Sequence, residues 1–318
     1  MERGVSTDAT SMPEGGITPR LAARRAAASK KGRRGAFVSY LFLLPYLLLL
    51  LMFGVLPVFY AFGLSFFDTI GGVFWWFTNY QSALADFRLP ASVINVLTYV
   101  FIWVAATVIG VVALSLMLDS IGRRSATALR TVFFLPGAIT SSAIVVLWLF
   151  MLDPLVSPFQ PLFHLLGWTS RQNVVGGLGF AGIFAIMGYF AGSGGWIVVF
   201  GGSLASVPSE LNEAAKIDGA NRWQMAMQIK LPMIWRSVGL MAILSFAGGL
   251  QIFVEPQLMQ LGGIQFSRTD WSVNQLAFLY AFSQGDFGIS AALSTMLLTA
   301  SIAIALVIIF ATKFYKID

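Results

Sequence analysis

Six long runs of apolar residues dominate the chain, and shorter polar segments separate them. A membrane-spanning helix needs roughly 20 mostly apolar residues, because each residue rises about 1.5 Å through a hydrocarbon core about 30 Å thick. None of the runs alternates apolar and polar residues as a transmembrane barrel strand does. The pattern therefore predicts an all-α integral membrane protein with six transmembrane helices. These helices are expected near residues 36–66, 93–118, 131–151, 178–204, 233–255 and 289–314.

The overall composition supports a membrane protein. Hydrophobic residues make up 57% of the 318 residues and charged residues only 11%, whereas a soluble globular domain carries roughly 25% charged residues. A soluble fold of this composition would lack the polar side chains needed to cover its surface. Long uncharged apolar runs account for the excess of hydrophobic residues instead.

The basic residues lie almost entirely on one side of the predicted spans. Of the 20 lysines and arginines, only Arg88, Arg171 and Arg268 fall in connections on the opposite side. Cytoplasmic segments of membrane proteins carry the excess of lysine and arginine, so both termini are predicted to be cytoplasmic. The net charge of +6 then follows from topology and requires no nucleic-acid partner.

The first 35 residues differ from the rest of the chain. They are rich in alanine, glycine, serine, arginine and lysine and contain almost no large apolar residue, which is typical of a disordered segment. The apolar run that follows is about 30 residues long, which suits an uncleaved membrane anchor better than a secretory signal. Residues 1–35 are thus predicted to form a disordered basic cytosolic tail, and residues 36–318 the six-helix membrane domain.

Residues needed for several kinds of chemistry are missing from the sequence. The chain has no cysteine and a single histidine, His164, so no thiolate or histidine metal site is expected. It lacks the Gly-x-x-x-x-Gly-Lys-Ser/Thr phosphate-binding loop, so it is not expected to bind ATP itself. No lysine or arginine lies centrally in a span, which argues against an ion-coupled carrier with buried cations.

The connection between the fourth and fifth predicted spans, residues 207–232, is the most informative segment. Pro208 suits the first position of a helix, and Gly219 suits its end, where a left-handed residue commonly stops a helix. Asn221 and Gln224 resemble a capping pair for a second short helix. Pro232 is then expected to begin the fifth span.

The first of these short helices is predicted to present a surface to a partner. Leu211, Ala214 and Ala215 share one face by their three- and four-residue spacing, and the two small alanines permit close approach. Glu213 provides a charge for an arginine on the partner. On local chemistry alone, an ordinary solvated loop that contains a helix remains the alternative.

The spacing of this segment resembles the EAA loop of binding-protein-dependent ABC importer permeases. That motif consists of Glu-Ala-Ala, three residues, Gly, nine residues and Ile-x-Leu-Pro. The chain matches every fixed position and both gaps, and Asp218 lies beside the glycine. The resemblance implies that the segment is a coupling helix seated in a cleft of an ATPase subunit. The implied coupling residues are Glu213, Ala214, Ala215, Asp218, Gly219, Ile229, Leu231 and Pro232.

Two other segments resemble the carbohydrate-uptake permeases of the maltose and glycerol-phosphate type. The sequence Arg130-Thr-Val-Phe-Phe-Leu-Pro136 is similar to the third span of that subgroup, and Asp286-Phe-Gly288 to the approach to its sixth span. The subgroup often has Thr-Gly-Gly-Gly-Pro after the fifth span, where this chain has Gln260-Leu-Gly-Gly-Ile264. This segment therefore departs from the pattern of the subgroup.

The resemblance implies a transport subunit rather than an enzyme, located in the bacterial inner membrane. It implies translocation of a sugar or sugar derivative by alternating access, together with a second related permease and an extracytoplasmic binding protein. Two ATPase subunits or domains would hold ATP and Mg, so no cofactor is expected on this chain. An ion-coupled secondary transporter is the main alternative, although it has no reason to retain the EAA spacing; a membrane assembly scaffold is another.

Two polar residues at the outer end of the fifth predicted span are candidates for the substrate path. Gln251 and Glu255 are four residues apart, so a continuous helix would place them on one face. Intramembrane carboxylates tend to face a cavity or a partner, and carboxylates and amides bind sugar hydroxyls. The alternative is that Glu255 reaches interfacial water or caps a neighbouring helix.

Overall fold

The computed structural model describes residues 40–69, 72–139, 141–262 and 270–311. These residues are largely helical, and their only extended pairing is an isolated bridge between Phe67 and Phe74, which confirms the predicted all-α fold. The predicted tail, residues 1–35, lies outside the described residues. Residues up to Tyr60 and residues from Ala61 onward form separate compact units, and the site described below belongs to the second unit.

The helices are numbered here in chain order. They are α1 (Tyr40–Leu64), α2 (Thr78–Ala85), α3 (Leu89–Asp119), α4 (Arg123–Phe134), α5 (Ser141–Met151), α6 (Gln160–Leu165), α7 (Arg171–Ala205), α8 (Ser209–Ile217), α9 (Arg222–Gly249), α10 (Val254–Leu261), α11 (Val273–Phe278) and α12 (Phe287–Ala311). Five of the described helices are long and apolar enough to cross a membrane, namely α1, α3, α7, α9 and α12. They correspond to the first, second, fourth, fifth and sixth predicted spans.

The third predicted span is a broken pair of helices. α4 continues into a 3-10 turn, Leu135–Ala138, and the axis then bends by 98° into α5. Pro136 has no backbone N–H to donate, and its ring is incompatible with a regular helix interior. Gly137 packs so closely on α7 that a Cβ would lie 2.7 Å from the Ala191 carbonyl oxygen. A continuous helix over residues 131–151 was therefore the wrong prediction, and the chain has six spans when this pair counts as one.

The fifth span begins and ends earlier than predicted. α9 starts at Arg222, passes through a π-helical turn, Met225–Lys230, and ends at Gly249. The predicted second short helix is therefore the first turn of the span itself. Pro232 accounts for the π turn, because it lacks an N–H and its ring would clash with the carbonyl four residues earlier in a regular helix.

The helices α3 and α7 form the centre of the second unit. Buried apolar clusters lie along this pair, one around Phe184 and the other around Phe200. At Gly188 of α7 a Cβ would lie 2.8 Å from the Trp103 ring nitrogen of α3, so the glycine allows close helix contact. Such packing matters in lipid, where the hydrophobic effect does not drive helices together.

Candidate functional site

The helix α8 occupies the predicted coupling segment between two long spans. Pro208 precedes it as the N-cap residue, with φ −55° and ψ 133°, one position before the predicted helical position. Glu210 lies in the first turn and Lys216 in the last, and both charges are favourable for the helix dipole. The side of the membrane domain that carries α8, Ser209–Ile217, is called the α8 side below, and the opposite side the distal side.

The end of α8 confirms the predicted role of glycine. Gly219 has φ +80°, and Asp218 is the C-cap residue before it. The amide of Ala220 donates to the Ala215 carbonyl at 2.9 Å, and that of Gly219 donates to the Lys216 carbonyl at 3.1 Å. These two bonds form a Schellman motif, which satisfies the last carbonyls of the helix and reverses the chain.

The predicted capping pair begins α9. The Asn221 side chain accepts from the Gln224 amide at 2.8 Å, and the Gln224 side chain accepts from the Asn221 amide at 2.8 Å. This capping box satisfies two otherwise unpaired donors at the start of the helix. Only four residues, 218–221, therefore link α8 to α9, and both ends of this link are closed by local bonds.

The outer surface of α8 differs from the predicted surface in one respect. Glu213 and Ala214 are exposed, and Ile217 is 86% exposed, but Ala215 is only 8% exposed. The expectation that both alanines lie on one accessible face was wrong, because the small Ala215 side chain packs inside the chain. A role of Ala215 in coupling stays a prediction.

An ion pair joins the predicted coupling segment to the second span. The Lys230 ammonium lies 2.5 Å from the Asp119 carboxylate, which is the last residue of α3. The two side chains are 16% and 22% exposed. Below the pair, a cavity of about 400 Å³ separates α8 from the end of α3. Its lining residues are Leu116, Asp119, Ser120, Asn212, Lys216, Arg222, Met225, Ala226 and Lys230.

The last three motif positions lie where the π turn meets the regular part of α9. Ile229 and Leu231 are half-buried, and Pro232 is exposed. Leu231 packs against the buried cluster that contains Ile234 and Phe200. These motif residues therefore position the regular part of α9, which begins at Leu231. Glu213 and Ala214 lie instead on the exposed surface of α8.

The two candidate residues for the substrate path do not share a helix. α9 ends at Gly249 and α10 begins at Val254, so Gln251 lies in the break and Glu255 in the first turn of α10. The premise that four-residue spacing places them on one helical face was wrong, because Phe253, with φ −146° and ψ −49°, interrupts the helix. Gln251 is exposed and Glu255 is half-buried.

Sequence reasoning missed a group of amides beside this break. The Gln275 side chain is fully buried and donates to Gln257 at 3.2 Å. The Asn274 side chain donates to the backbone carbonyl of Gln251 at 2.8 Å, which ties α11 to the break. The Ser272–Gln275 capping box was readable in the sequence, but the contact between Gln275 and Gln257 was not.

An ion pair on the distal side was also missed. The Asp86 carboxylate accepts from Arg88 Nη2 at 2.7 Å and from the Tyr280 hydroxyl at 2.8 Å. The guanidinium also lies over the Tyr280 ring, 5.4 Å from its centroid. The hydrogen bonds from Arg88 lower the pKa of Asp86 from 3.8 to about 2, so this link between the start of α3 and the segment after α11 is charged at neutral pH.

Relatives support the same architecture over nearly the whole chain. A probable ABC transporter permease of Bacillus subtilis is 26% identical over 296 residues, which are 88% of this chain and 96% of the relative. The trehalose/maltose transport system permease of Thermococcus litoralis is 25% identical over 294 residues, covering 91% and 98% of the two chains. A crystal structure of a bacterial ABC transporter for import of the acidic polysaccharide alginate superposes with a TM-score of 0.75 at 18% identity, covering 90% of this chain and 98% of the other.

The family model for the inner membrane component of binding-protein-dependent transport systems matches residues 118–317. That range begins at the end of α3 and includes the broken third span, α7, the α8 segment and the two spans that follow it. The EAA spacing and the capped α8 both fall within it, together with the later membrane helices α7, α9 and α12. The chain belongs to the family of binding-protein-dependent transport system inner membrane components, and it is a permease subunit rather than an enzyme.

Proposed function

We propose that this permease forms half of the pathway of an ATP-driven sugar importer and that α8 docks into a separate ATPase subunit. A second, related permease would complete the pathway, and two ATPase subunits or domains would hold ATP and Mg. A binding protein outside the membrane delivers the substrate. The distribution of basic residues supports a bacterial inner-membrane location with both termini in the cytoplasm.

The observation that carries this proposal is the exposed surface of α8. Ile217 is an apolar side chain with 86% exposure, and it lies one helical turn from Glu213 on the same exposed side. A complementary cleft on the ATPase would have an apolar floor for Ile217 and a basic group for Glu213. The small Ala214 side chain would allow close approach to that cleft. Because the Schellman motif and the capping box fix both ends of the turn, a force on α8 is transmitted to α9 rather than absorbed by a flexible loop.

The transmission route continues into the spans. α8 connects to α9 through four residues, and Lys230 at the end of the π turn of α9 is paired with Asp119 at the end of α3. Movement of α8 with a closing ATPase thus acts on two spans at once. For nucleotide to drive alternating access, the ATPase must bind one of the two conformations of the permease more tightly than the other. Equal binding to both conformations would leave their populations unchanged.

The substrate class is supported by the relatives. The relative from Thermococcus litoralis is named for trehalose and maltose transport.

The docking role is tested with Ile217→Arg. We expect this variant to lose co-purification with the ATPase and ATP-driven uptake, because a charge replaces an apolar contact. Leu165→Arg is the matched control, since Leu165 is 83% exposed on the distal side. It should retain ATPase binding. Normal ATPase binding by Ile217→Arg would contradict the docking proposal.

The sugar class is tested separately with the partner binding protein, which is to be sought among the genes beside this permease. Monosaccharides and oligosaccharides are screened by calorimetry, with amino acids and short peptides as competing classes. Saturable binding of a sugar supports the proposal. Binding of peptides or amino acids alone would leave the coupling role intact and overturn the substrate class.

A further inference from the structure

A polar cavity of about 580 Å³ lies between α4 and α7 on the α8 side. Its polar lining comes from Asp119, Arg123, Thr127 and Arg130, and Gly201 of α7 forms part of the opposite wall. The cavity is separate from the exposed surface of α8. The proposed docking to an ATPase does not make use of it.

The lining residues of α4 form one stripe. Arg123, Thr127 and Arg130 are separated by four and three residues, so they lie on the same helical face. Among the residues that the structure describes, neither arginine forms an ion pair with a carboxylate. Asp119 also faces the cavity, but its charge is already paired with Lys230 at 2.5 Å. The cavity therefore holds two guanidinium groups with no anionic partner of their own.

The position of Arg130 depends on a glycine. A Cβ on Gly201 would lie 2.8 Å from the Arg130 Cζ atom and 2.9 Å from its Nε atom. The missing side chain lets the guanidinium lie against the backbone of α7. The Nε atom is buried there without a hydrogen-bond partner in the described part of the chain, and a buried donor without a partner is costly.

A second cavity of about 540 Å³ continues from the first and shares Thr127, Arg130 and Gly201 with it. It follows the same stripe of α4 away from the charged end, toward Phe134, and it is bounded by Val198 of α7. Phe134 and Val198 are both about half exposed. The first cavity is thus cationic, and the second cavity beside it is apolar at its far end. An amphiphile with a negatively charged head group and an apolar tail needs this combination.

The depth of Arg130 matches the head of a lipid. Gly201 lies four residues before Ala205, the last residue of α7, which is about 6 Å along the axis. Basic pockets between transmembrane helices at the cytoplasmic surface bind the head groups of anionic lipids. We propose that a phosphate group binds between Arg123 and Arg130 and that it belongs to an anionic phospholipid whose acyl chain follows the second cavity.

The test uses the full-length chain in detergent and measures bound lipid by native mass spectrometry. Phosphatidylglycerol is added in competition with phosphatidylcholine. The wild-type chain is expected to retain phosphatidylglycerol preferentially. Arg130→Gln should weaken retention by about fivefold, the effect of one arginine at a charged membrane surface. Gly201→Ala should weaken it similarly without removing any charge, because its methyl group displaces the guanidinium.

Each variant has a matched control on the same helix. Arg124→Gln removes an exposed charge that does not line the cavity, and Gly195→Ala adds a methyl group at a position of α7 that has open space and lines neither cavity. Both should retain phosphatidylglycerol like the wild type. If Arg124→Gln lost phosphatidylglycerol as strongly as Arg130→Gln, the proposed site would be contradicted. The lipid would then be held by diffuse attraction to the basic surface.

Inorganic phosphate distinguishes the two sources of the anion. If phosphate displaces phosphatidylglycerol from the wild type but not from Arg130→Gln, the site recognises a free anion and the lipid proposal fails. Persistence of bound phosphatidylglycerol in phosphate supports the lipid. Because neither ATPase nor sugar is present in this measurement, its outcome is independent of the proposed transport function.

Discussion

Gly219 is the residue on which the shape of the coupling segment depends most directly. Its φ of +80° lies in the left-handed region, which costs a non-glycine residue about 1–2 kcal/mol and is worst for β-branched residues. There is open space around its missing Cβ, so the constraint is backbone conformation and not crowding. The turn between α8 and α9 is therefore sensitive to the residue type at this position.

The first prediction follows from that constraint. Gly219→Val should disturb the Schellman motif and lower ATP-driven uptake strongly, because α8 no longer presents Glu213 and Ile217 in the same orientation. Gly219→Asn is the control, since asparagine tolerates left-handed backbone better than other side chains. It should retain most uptake in proteoliposomes. Equal activity of the two variants would show that the turn geometry does not matter for coupling.

Asp86 is the other residue with a defined energetic role. Its carboxylate is almost fully buried and receives hydrogen bonds from the Arg88 side chain and backbone and from the Tyr280 hydroxyl. Because the pKa of this carboxyl is lowered to about 2 in the folded chain, folding favours its charged form. The resulting stability is present above the ordinary pKa of 3.8 and is lost as the pH falls toward 2.

The second prediction is a pH-dependent difference between wild type and Asp86→Asn. Near neutral pH the variant should be less stable by about 2 kcal/mol, the scale of a lost charge-assisted hydrogen bond. The difference should stay constant at neutral and mildly acidic pH and shrink as the carboxyl of the wild type becomes protonated. Thermal unfolding in detergent measures both. A stability difference that grew with acid would contradict the assigned pKa direction.

At the scale of elements, the π turn of α9 is the joint between the coupling segment and the membrane domain. Pro232 prevents a regular helix there, and the turn carries Lys230 toward Asp119 at the end of α3. The broken connection between α9 and α10 is the corresponding feature on the distal side, where Asn274 holds the backbone of Gln251. α9 thus links two irregular segments at opposite sides of the membrane domain.

The third prediction concerns the ion pair at this joint. Asp119→Lys should reduce the coupling of ATP hydrolysis to uptake, because two like charges about 4 Å apart repel by about 4 kcal/mol at an effective dielectric of 20. The exchange Asp119→Lys with Lys230→Asp restores opposite charges and should recover part of the coupling. The ratio of sugar transported to ATP hydrolysed measures it. Failure of the double variant with intact assembly would mean that the pair is not the connection between α3 and α9.

At the scale of the whole molecule, topology follows from six spans, one of which is broken. The pair α4 and α5 bends by 98°, so its ends need not lie on opposite sides of the membrane by length alone. The distribution of basic residues predicts that the pair crosses, because Arg123, Arg124 and Arg130 cluster at its start and cytoplasmic ends carry such clusters. Crossing by the broken pair is required for Arg171 to lie on the distal side.

The fourth prediction tests this topology. Reporter fusions after Gly35 and after Asp318 should both report a cytoplasmic location. A fusion at Gly167, in the connection between α6 and α7, should report the outside. A cytoplasmic signal at Gly167 would mean that the broken pair is a re-entrant loop, and an external C-terminus would contradict the six-span arrangement as a whole.

The sequence by itself determined the features that depend on neighbours a few residues away. The apolar runs predicted the membrane helices, and the chemistry of Gly219, Asn221 and Gln224 predicted the end of α8 and the start of α9. These structures rest on bonds between residues three to five positions apart, which a local pattern encodes completely. The EAA spacing likewise indicated the family, because its positions lie within one short segment.

The tertiary structure decided which face each element presents and where the spans break. Ala215 turned inward because the body of the protein lies on that side of α8, and α5 bent away because Gly137 packs against α7. Asp86 and Tyr280 meet although 194 positions separate them, and Gln257 meets Gln275 across a connection between helices. Contacts of this kind depend on how long helices pack against one another in three dimensions, which no local spacing of residue types specifies.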